Sequence, residues 1–321
     1  MLRWLKMIRH FSQRRQNDQK FKPVVLVTGC GSGIGWALAK MLYRIGRYRV
    51  VVTARENSIS KMKESFVESD RFWIRQLDVT SEIQRKNLID EINRHWGGVN
   101  VLINNAGISY RSVIEHMTEA DEVLQMSTNY LGPIGLIRLV LPHMRELGRG
   151  KIICVSSVSG MLAMPTMASY SASKYALEGA CEALWYECKP LGVDVSLVQP
   201  GFIRSRSFNK VYFSENSNPK NSNGGPYHDY YEHMTPFVEK MMLRSISNPQ
   251  KVAKIILDTI QMERPPLWIP ATLDAFGFYY LRRIFPRRWL LPVLFYCLPG
   301  ARHWGKKYTK KREVDRKPRI I

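Results

Sequence analysis

The chain has 321 residues, of which 45% are hydrophobic and 23% charged, ordinary values for a folded protein that exclude general disorder and a disulfide-stapled mini-protein. Its 48 Lys and Arg against 27 Asp and Glu give a formal net charge of +21. Residues 1–22 hold seven basic and one acidic side chain and residues 282–321 thirteen and two, so only +4 remains between them, a distribution that argues against a nucleic-acid groove in the folded body.

A near-neutral body with cationic ends suits an anionic membrane surface better than a duplex. Cys30, Cys154, Cys181, Cys188 and Cys297 are an odd set with no C-x-x-C pair, which points to a reducing, cytoplasmic compartment with peripheral membrane association open to the basic ends. The histidines, including His228 and His233, lack the spacing with Cys or carboxylates that zinc requires, so no metal is expected.

Residues 1–22 set Leu2, Trp4, Leu5, Ile8 and Phe11 on an apolar stripe among Arg3, Lys6, Arg9, Arg14 and Arg15, a basic amphipathic extension. No apolar core of signal-peptide length follows, so secretion is not indicated. From Pro23 onward, Val24 to Thr28, Val50 to Thr53, Phe72 to Leu77, Val101 to Ile103, Ile152 to Val155 and Val193 to Val198 are short, apolar and often β-branched, and read as buried strands. Between them Ile34 to Leu42, Ile83 to Trp96, Val123 to Leu147 and Ala172 to Cys188 carry helical spacing. Strand and helix taking turns predicts an α/β fold, a doubly wound parallel sheet in one domain.

After Val198 the pattern loosens. Ser214 to Pro226 is rich in Asn, Ser, Gly and Pro and reads as a loop, followed by helical segments near Tyr230 to Leu243 and Pro249 to Gln261 and a last short strand at Leu267 to Ile269. Phe276 to Leu281 and Trp289 to Ala301 are apolar but separated by Arg282, Arg283, Arg287 and Arg288; the second run, 13 residues with Pro292 and Pro299, is too short and broken to span a bilayer. Two readings stay open there: monotopic attachment with cations on anionic lipid, or a terminal helix covering the core with a solvated tail. The frame is therefore a basic extension over 1–22, an α/β region over 23–265 in which 202–248 is looser, and an apolar then basic extension over 266–321.

The first strand runs into Gly29-Cys30-Gly31-Ser32-Gly33-Ile34-Gly35 directly ahead of a helix. Glycines there let the backbone turn tightly and approach a pyrophosphate, which the N–H groups and positive end of the helix stabilise. Some 20 positions further on, where such folds meet the adenosine ribose, stands Arg55, whose guanidinium pairs with a 2′-phosphate and so favours NADP(H) over NAD(H). The competing reading has Glu56 facing the ribose and Arg55 as a solvated charge. Tyr170 and Lys174 are four apart and share a helix face, an ammonium beside a phenol that favours proton exchange near neutral pH.

The glycine turn, the Asn104-Asn105-Ala106-Gly107 tetrad, Asn129, Ser157 thirteen residues before Tyr170, Lys174 and Pro200-Gly201 resemble, in order and spacing, the short-chain dehydrogenase/reductase family, with a lean to its 17β-hydroxysteroid and retinol dehydrogenase branch. The resemblance covers about 23–265, makes that region the catalytic domain and 202–248 its substrate loop, and implies a Rossmann-type fold, a helical substrate lid and a homodimer paired through long helices. It implies that Tyr170 protonates a carbonyl oxygen during hydride transfer, that Ser157 hydrogen-bonds that oxygen, that Lys174 acts on the phenol and the nicotinamide ribose, and that Asn129 anchors a water linked to Lys174. Gly29, Gly31, Ser32, Gly33, Ile34 and Gly35 would hold the pyrophosphate, Asp78 and Val79 the adenine, and Pro200, Gly201 and Ile203 the nicotinamide, with Asn105, Ala106 and Gly107 also on the cofactor. Ser205 stands where the family has Thr, keeping the hydroxyl; Arg204 and Arg206 beside it are either surface charges or a site for an acidic substrate group.

Each residue has a plain alternative: Ser157 as a cap, Asn129 as a satisfied helix amide, Tyr170 as a core aromatic. Phe202, Phe208, Tyr212, Phe213, Tyr227, Tyr230, Tyr231 and Phe237 in the loop region offer enough aromatic surface to enclose a lipophilic carbonyl or alcohol of steroid, retinoid or fatty-chain type, or else pack the lid. The expected activity is an NADP(H)-dependent oxidoreductase acting on CH–OH and C=O. The alternative is an NADP-binding sensor with little turnover.

Overall fold

A computed structural model describes residues 22–205, 211–217 and 225–306. The basic stripe read in 1–21, Arg206, Phe208 and the end of the basic tail lie outside the described residues. Strands β1 (Val24–Val27), β2 (Arg49–Ala54), β3 (Phe72–Gln76), β4 (Val101–Asn104), β5 (Gly150–Val155), β6 (Val193–Gln199) and β7 (Trp268–Pro270) form one seven-stranded sheet in the order β3-β2-β1-β4-β5-β6-β7. Every pairing is parallel. The doubly wound sheet read from the alternating pattern is thus present, and β7 stands at the short strand read at Leu267 to Ile269.

The sheet is covered on both faces. In β1, Val25 and Val27 join one apolar cluster while Val24 and Leu26 join the other, as alternation along a strand requires. The first cluster takes Leu38 and Leu42 from α1 (Gly33–Ile45), Met62 from α2 (Glu56–Ser65) and Val252 and Ile256 from α8 (Pro249–Gln261). The second takes Leu88 and Ile92 from α3 (Glu82–Trp96), Leu136 and Val140 from α5 (Gly132–Leu147) and Leu177 from α6 (Ala168–Cys188). Helix α2 is polar enough that its spacing gave no helical signal.

The expected helix from Val123 to Leu147 is broken. Helix α4 (Glu119–Met126) passes into a π turn, Ser127–Leu131, before α5 begins. Pro133 has no N–H to give to the Asn129 carbonyl in α register, so the chain takes the wider turn there.

Beyond α7 (His228–Arg244) and α8, helix α9 (Leu273–Ile284) resolves one of the open readings of the C-terminal region. One face covers the core: Ala275 is fully buried against Val158 and Met161, and Arg282 donates to the Met161 carbonyl and, at 2.9 Å, to the Tyr175 hydroxyl. The other face and α10 (Arg287–Cys297) leave Phe276, Ile284, Trp289, Leu291, Val293 and Tyr296 more than half exposed. Among the described residues no helix is long and apolar enough to cross a membrane.

Candidate active site

A crevice of about 760 Å³ runs along the C-terminal ends of β1 to β6, the edge at which open α/β sheets bind ligands. Its floor at β1 is the glycine turn. Gly29 (φ 71°) and Gly33 (φ 60°) hold left-handed backbone that an L side chain rarely adopts. Thr28 ties this turn to the next strand: its Oγ1 accepts from the N–H groups of Asn105 and Ala106, each at 3.0 Å, while Asn105 Nδ2 donates to the carbonyls of Thr28 at 2.9 Å and Gly29 at 3.1 Å.

The turn fits a dinucleotide phosphate. A Cβ at Gly33 would meet no protein atom within 4 Å, so backbone is open to the crevice there. Ser32, the N-cap of α1, makes no side-chain capping bond, which leaves its hydroxyl and the first turn of the helix available to an anion. Gly35 does not line the crevice; it packs inward, where a Cβ would sit 2.5 Å from Asn105 Nδ2 and closer still to the Gly29 carbonyl.

At the far end, Arg55 caps α2 and lines the crevice with Asp78 and Val79. Its Nη2 donates to the Tyr212 hydroxyl at 3.2 Å, and that bond raises its pKa above the ordinary arginine value. Glu56 faces a smaller adjoining pocket of about 450 Å³ that Arg55 also lines, but not the main crevice. Asp78 Oδ1 accepts from the Thr80 N–H at 2.9 Å and hydroxyl at 2.7 Å, which orients the carboxylate at the strand end.

At the opposite end Ser157, Tyr170 and Lys174 come together on the crevice wall. Ser157 stands past β5, where its Oγ accepts from the Ser159 N–H at 3.1 Å and caps a short 3-10 turn, Val158–Gly160. Tyr170 and Lys174 lie on α6, with the buried Lys174 Nζ 5.9 Å from the centre of the phenol ring and donating to the Val155 carbonyl at 2.9 Å. Pro200, Gly201, Ile203 and Ser205 line the same wall after β6. Their segment is pinned from the C-terminal region: the Gly201 N–H donates to Thr272 Oγ1 at 2.8 Å and the Phe202 N–H to Asp274 Oδ2 at 2.7 Å.

Asn129 is the other expected residue that does not line the crevice. It is fully buried in the π turn, accepts from the Ile108 N–H at 2.9 Å and donates to the Ile108 carbonyl at 2.9 Å and to Ser173 Oγ at 3.0 Å. Its amide therefore fixes the chain beside Gly107, whose Cβ position is 3.3 Å from Asn129 Oδ1 and 3.8 Å from Lys174 Nζ.

Several features escaped the sequence. Of the aromatics in the loop region, Phe202 and Tyr212 line the crevice. Tyr227, Tyr230 and Tyr231 instead pack the lid: Tyr227 against His116, Tyr230 against Trp304, and Tyr231, buried, accepting from the Val113 N–H at 3.0 Å. The apolar lining includes Met164, Met167 and Met242, flexible side chains that no spacing rule singles out. Behind Ser157, the Glu178 carboxyl accepts from Ser156 Oγ at 2.6 Å and Gln199 Nε2 at 2.8 Å, and burial pushes its pKa up. Arg204 is exposed and off the crevice, whereas Arg111 lines it. Its place just past the Asn104 to Gly107 tetrad, after the C-terminal end of β4, was the available signal.

Comparison with known proteins accords with this geometry. The family model for short chain dehydrogenases matches residues 23–216. The 3-ketodihydrosphingosine reductase of Bacteroides thetaiotaomicron is 35% identical over 247 residues, 76% of this chain and 85% of that protein. Retinol dehydrogenase 8 of Homo sapiens is 32% identical over 276 residues, 80% of this chain and 88% of its own. Among solved structures, ElxO with NADP bound superposes with a TM-score of 0.62 at 26% identity, over 78% of this chain and 98% of that one. The sheet order, the glycine turn and these matches agree: the chain belongs to the short-chain dehydrogenase/reductase family of oxidoreductases, in its retinol dehydrogenase-like branch, and has that family's NAD(P)-binding fold.

Proposed function

We propose that the protein is an NADP(H)-dependent oxidoreductase that interconverts a carbonyl and an alcohol on a largely apolar substrate. The observation that carries this reading is the meeting of Ser157, Tyr170 and Lys174 on one wall of the crevice whose floor is the glycine turn. A bound nicotinamide supplies the hydride acceptor or donor. The chain's own residues manage the oxygen: Tyr170 gives or takes its proton, Ser157 Oγ hydrogen-bonds it as charge develops, and Lys174 sets a positive charge beside the phenol. Asn129 acts as a positioning residue, holding Ile108 and Ser173 so that Gly107 and Lys174 keep their places.

The 2′-phosphate preference is carried by Arg55, a cation at the end of β2 held toward the crevice by Tyr212, and the NADP in the related ElxO structure supports it. The methionine and aromatic lining supports an apolar substrate, as does the likeness to proteins named for a ketosphingoid base and for retinol. Fluorescence titration is expected to show NADPH binding more tightly than NADH, and Arg55→Asp to weaken NADPH by roughly 10- to 100-fold, the range of a lost charge-assisted contact, with little change for NADH. An Arg55→Asp protein that keeps its preference removes the argument for NADP(H).

The exposed apolar face of α9 and α10, with Arg283, Arg287 and Arg288 among the aromatics, suits an anionic lipid surface from which an apolar substrate would enter. Co-sedimentation with vesicles containing phosphatidylserine should be salt-sensitive. Combining Arg287→Glu, Arg288→Glu and Trp289→Ser should weaken it at least about tenfold, since each basic residue near the surface contributes about 1 kcal/mol. Equal recovery of both proteins with the vesicles assigns this face another role.

A further inference from the structure

Arg111 is a cation at the crevice with no counterion among the described residues. Its residue keeps some surface on the crevice, but its Nε is buried and has no hydrogen-bond partner. Nη1 is in contact with the Met167 thioether, a weak acceptor that cannot neutralise a charge. Among the described residues no carboxylate forms an ion pair with it. Acids around the site are held by other partners, Glu178 by Ser156 and Gln199, Glu122 by Ser169, Asp121 by Ser214, and Asp78 by Thr80.

The protein nevertheless builds a rigid seat for this guanidinium. The Arg111 N–H donates to the Tyr212 carbonyl at 2.9 Å, so the lid clamps its backbone. Its partner Met167 follows Thr166, a β-branched residue held at φ 63°, and bridges to Ser112. Burial pulls the pKa of Arg111 down to about 10, and Tyr170, on the same crevice, lies close enough to act on the guanidinium in the other direction. Burying an uncompensated cation is unfavourable, and a buried arginine beside a reacting phenol gains its partner when an anion enters.

We propose that Arg111 is a specificity-determining residue that grips an oxyanion, a carboxylate or phosphate, carried by the apolar substrate close to its reacting oxygen. The reacting oxygen is taken from the oxidoreductase reading above; the anion site is not. The substrate class becomes an amphiphile with an acidic head beside the carbonyl, its tail against Met164, Met167 and Met242. This cation lies inside the crevice, unlike the exposed Arg204.

Isothermal titration of the full-length, NADPH-loaded protein with dodecyl phosphate, dodecanoate, 1-dodecanol and inorganic phosphate tests the assignment. Wild type should hold at least one of the two anionic amphiphiles roughly tenfold or more tighter than the alcohol, and the better of the two names the head group. Arg111→Met should abolish that difference while leaving 1-dodecanol and NADPH affinity unchanged, and Arg111→Lys should restore part of it. Anion capture by the basic surface is common to all three proteins, so the difference between them reports the crevice. Equal affinity for alcohol and anions in wild type, an equal loss of all ligands in Arg111→Met, or inorganic phosphate binding as tightly as the amphiphiles would each overturn the proposal. Arg111-dependent binding of an amphiphile without NADPH oxidation by any carbonyl would sink the oxidoreductase reading and leave the anion site standing.

Discussion

Tyr170→Phe is expected to lower turnover of any carbonyl substrate about 10³-fold, or about 4 kcal/mol of transition-state stabilisation, while NADPH affinity stays within about threefold. The substitution removes one oxygen from a ring whose neighbours, Lys174 5.9 Å from the ring centre and Ser157 on the same wall of the crevice, remain in place. The phenol oxygen matters to catalysis only while a proton moves, so its loss should fall on kcat rather than on cofactor binding. Single-turnover rates together with a fluorescence titration separate the two effects. Undiminished turnover would remove Tyr170 from the chemistry, and loss of NADPH binding alone would make it part of the dinucleotide seat.

The second large effect is expected at a residue that touches no ligand. In Gly35→Ala the new methyl meets Asn105 Nδ2 at 2.5 Å and the Gly29 carbonyl closer still, and one of these is backbone. Relief requires Asn105 to give up its bonds to the Thr28 and Gly29 carbonyls or the glycine turn to shift. Overpacking of this kind and the lost bonds together cost about 3 kcal/mol, and a shifted turn no longer presents its N–H groups to a phosphate. Urea denaturation should therefore show a lower midpoint, and NADPH affinity should fall at least about tenfold. A variant with wild-type midpoint and affinity would mean that the turn has slack its packing does not suggest.

The contrast between these residues bears on what could be read without coordinates. Tyr170 and Lys174 were legible because a four-residue spacing on a helix fixes a shared face, and the strands because short segments rich in apolar, often β-branched residues have few other uses in an α/β pattern. Helix α2 was not, because it is largely polar with Met62 as its buried contact. The break at Asn129 was missed: Val123 to Leu147 was read as one helix because its apolar spacing continues across Pro133, while the wider turn comes with the missing Pro133 donor and the side-chain bonds Asn129 makes to Ile108 and Ser173.

Local order along the chain by itself determined the doubly wound sheet, the glycine turn at the end of the first strand and the shared helix face of Tyr170 and Lys174, because periodicity and spacing act between near neighbours, while Ser157 was named by the family resemblance. The tertiary structure decided which charges and aromatics face the crevice. It brought Thr272 and Asp274 of the C-terminal region onto Gly201 and Phe202, turned Tyr227, Tyr230 and Tyr231 into lid packing, and left Arg111 rather than Arg204 inside. Such contacts join residues tens to more than a hundred positions apart, and whether a cation finds a carboxylate or a thioether depends on how the chain closes in space.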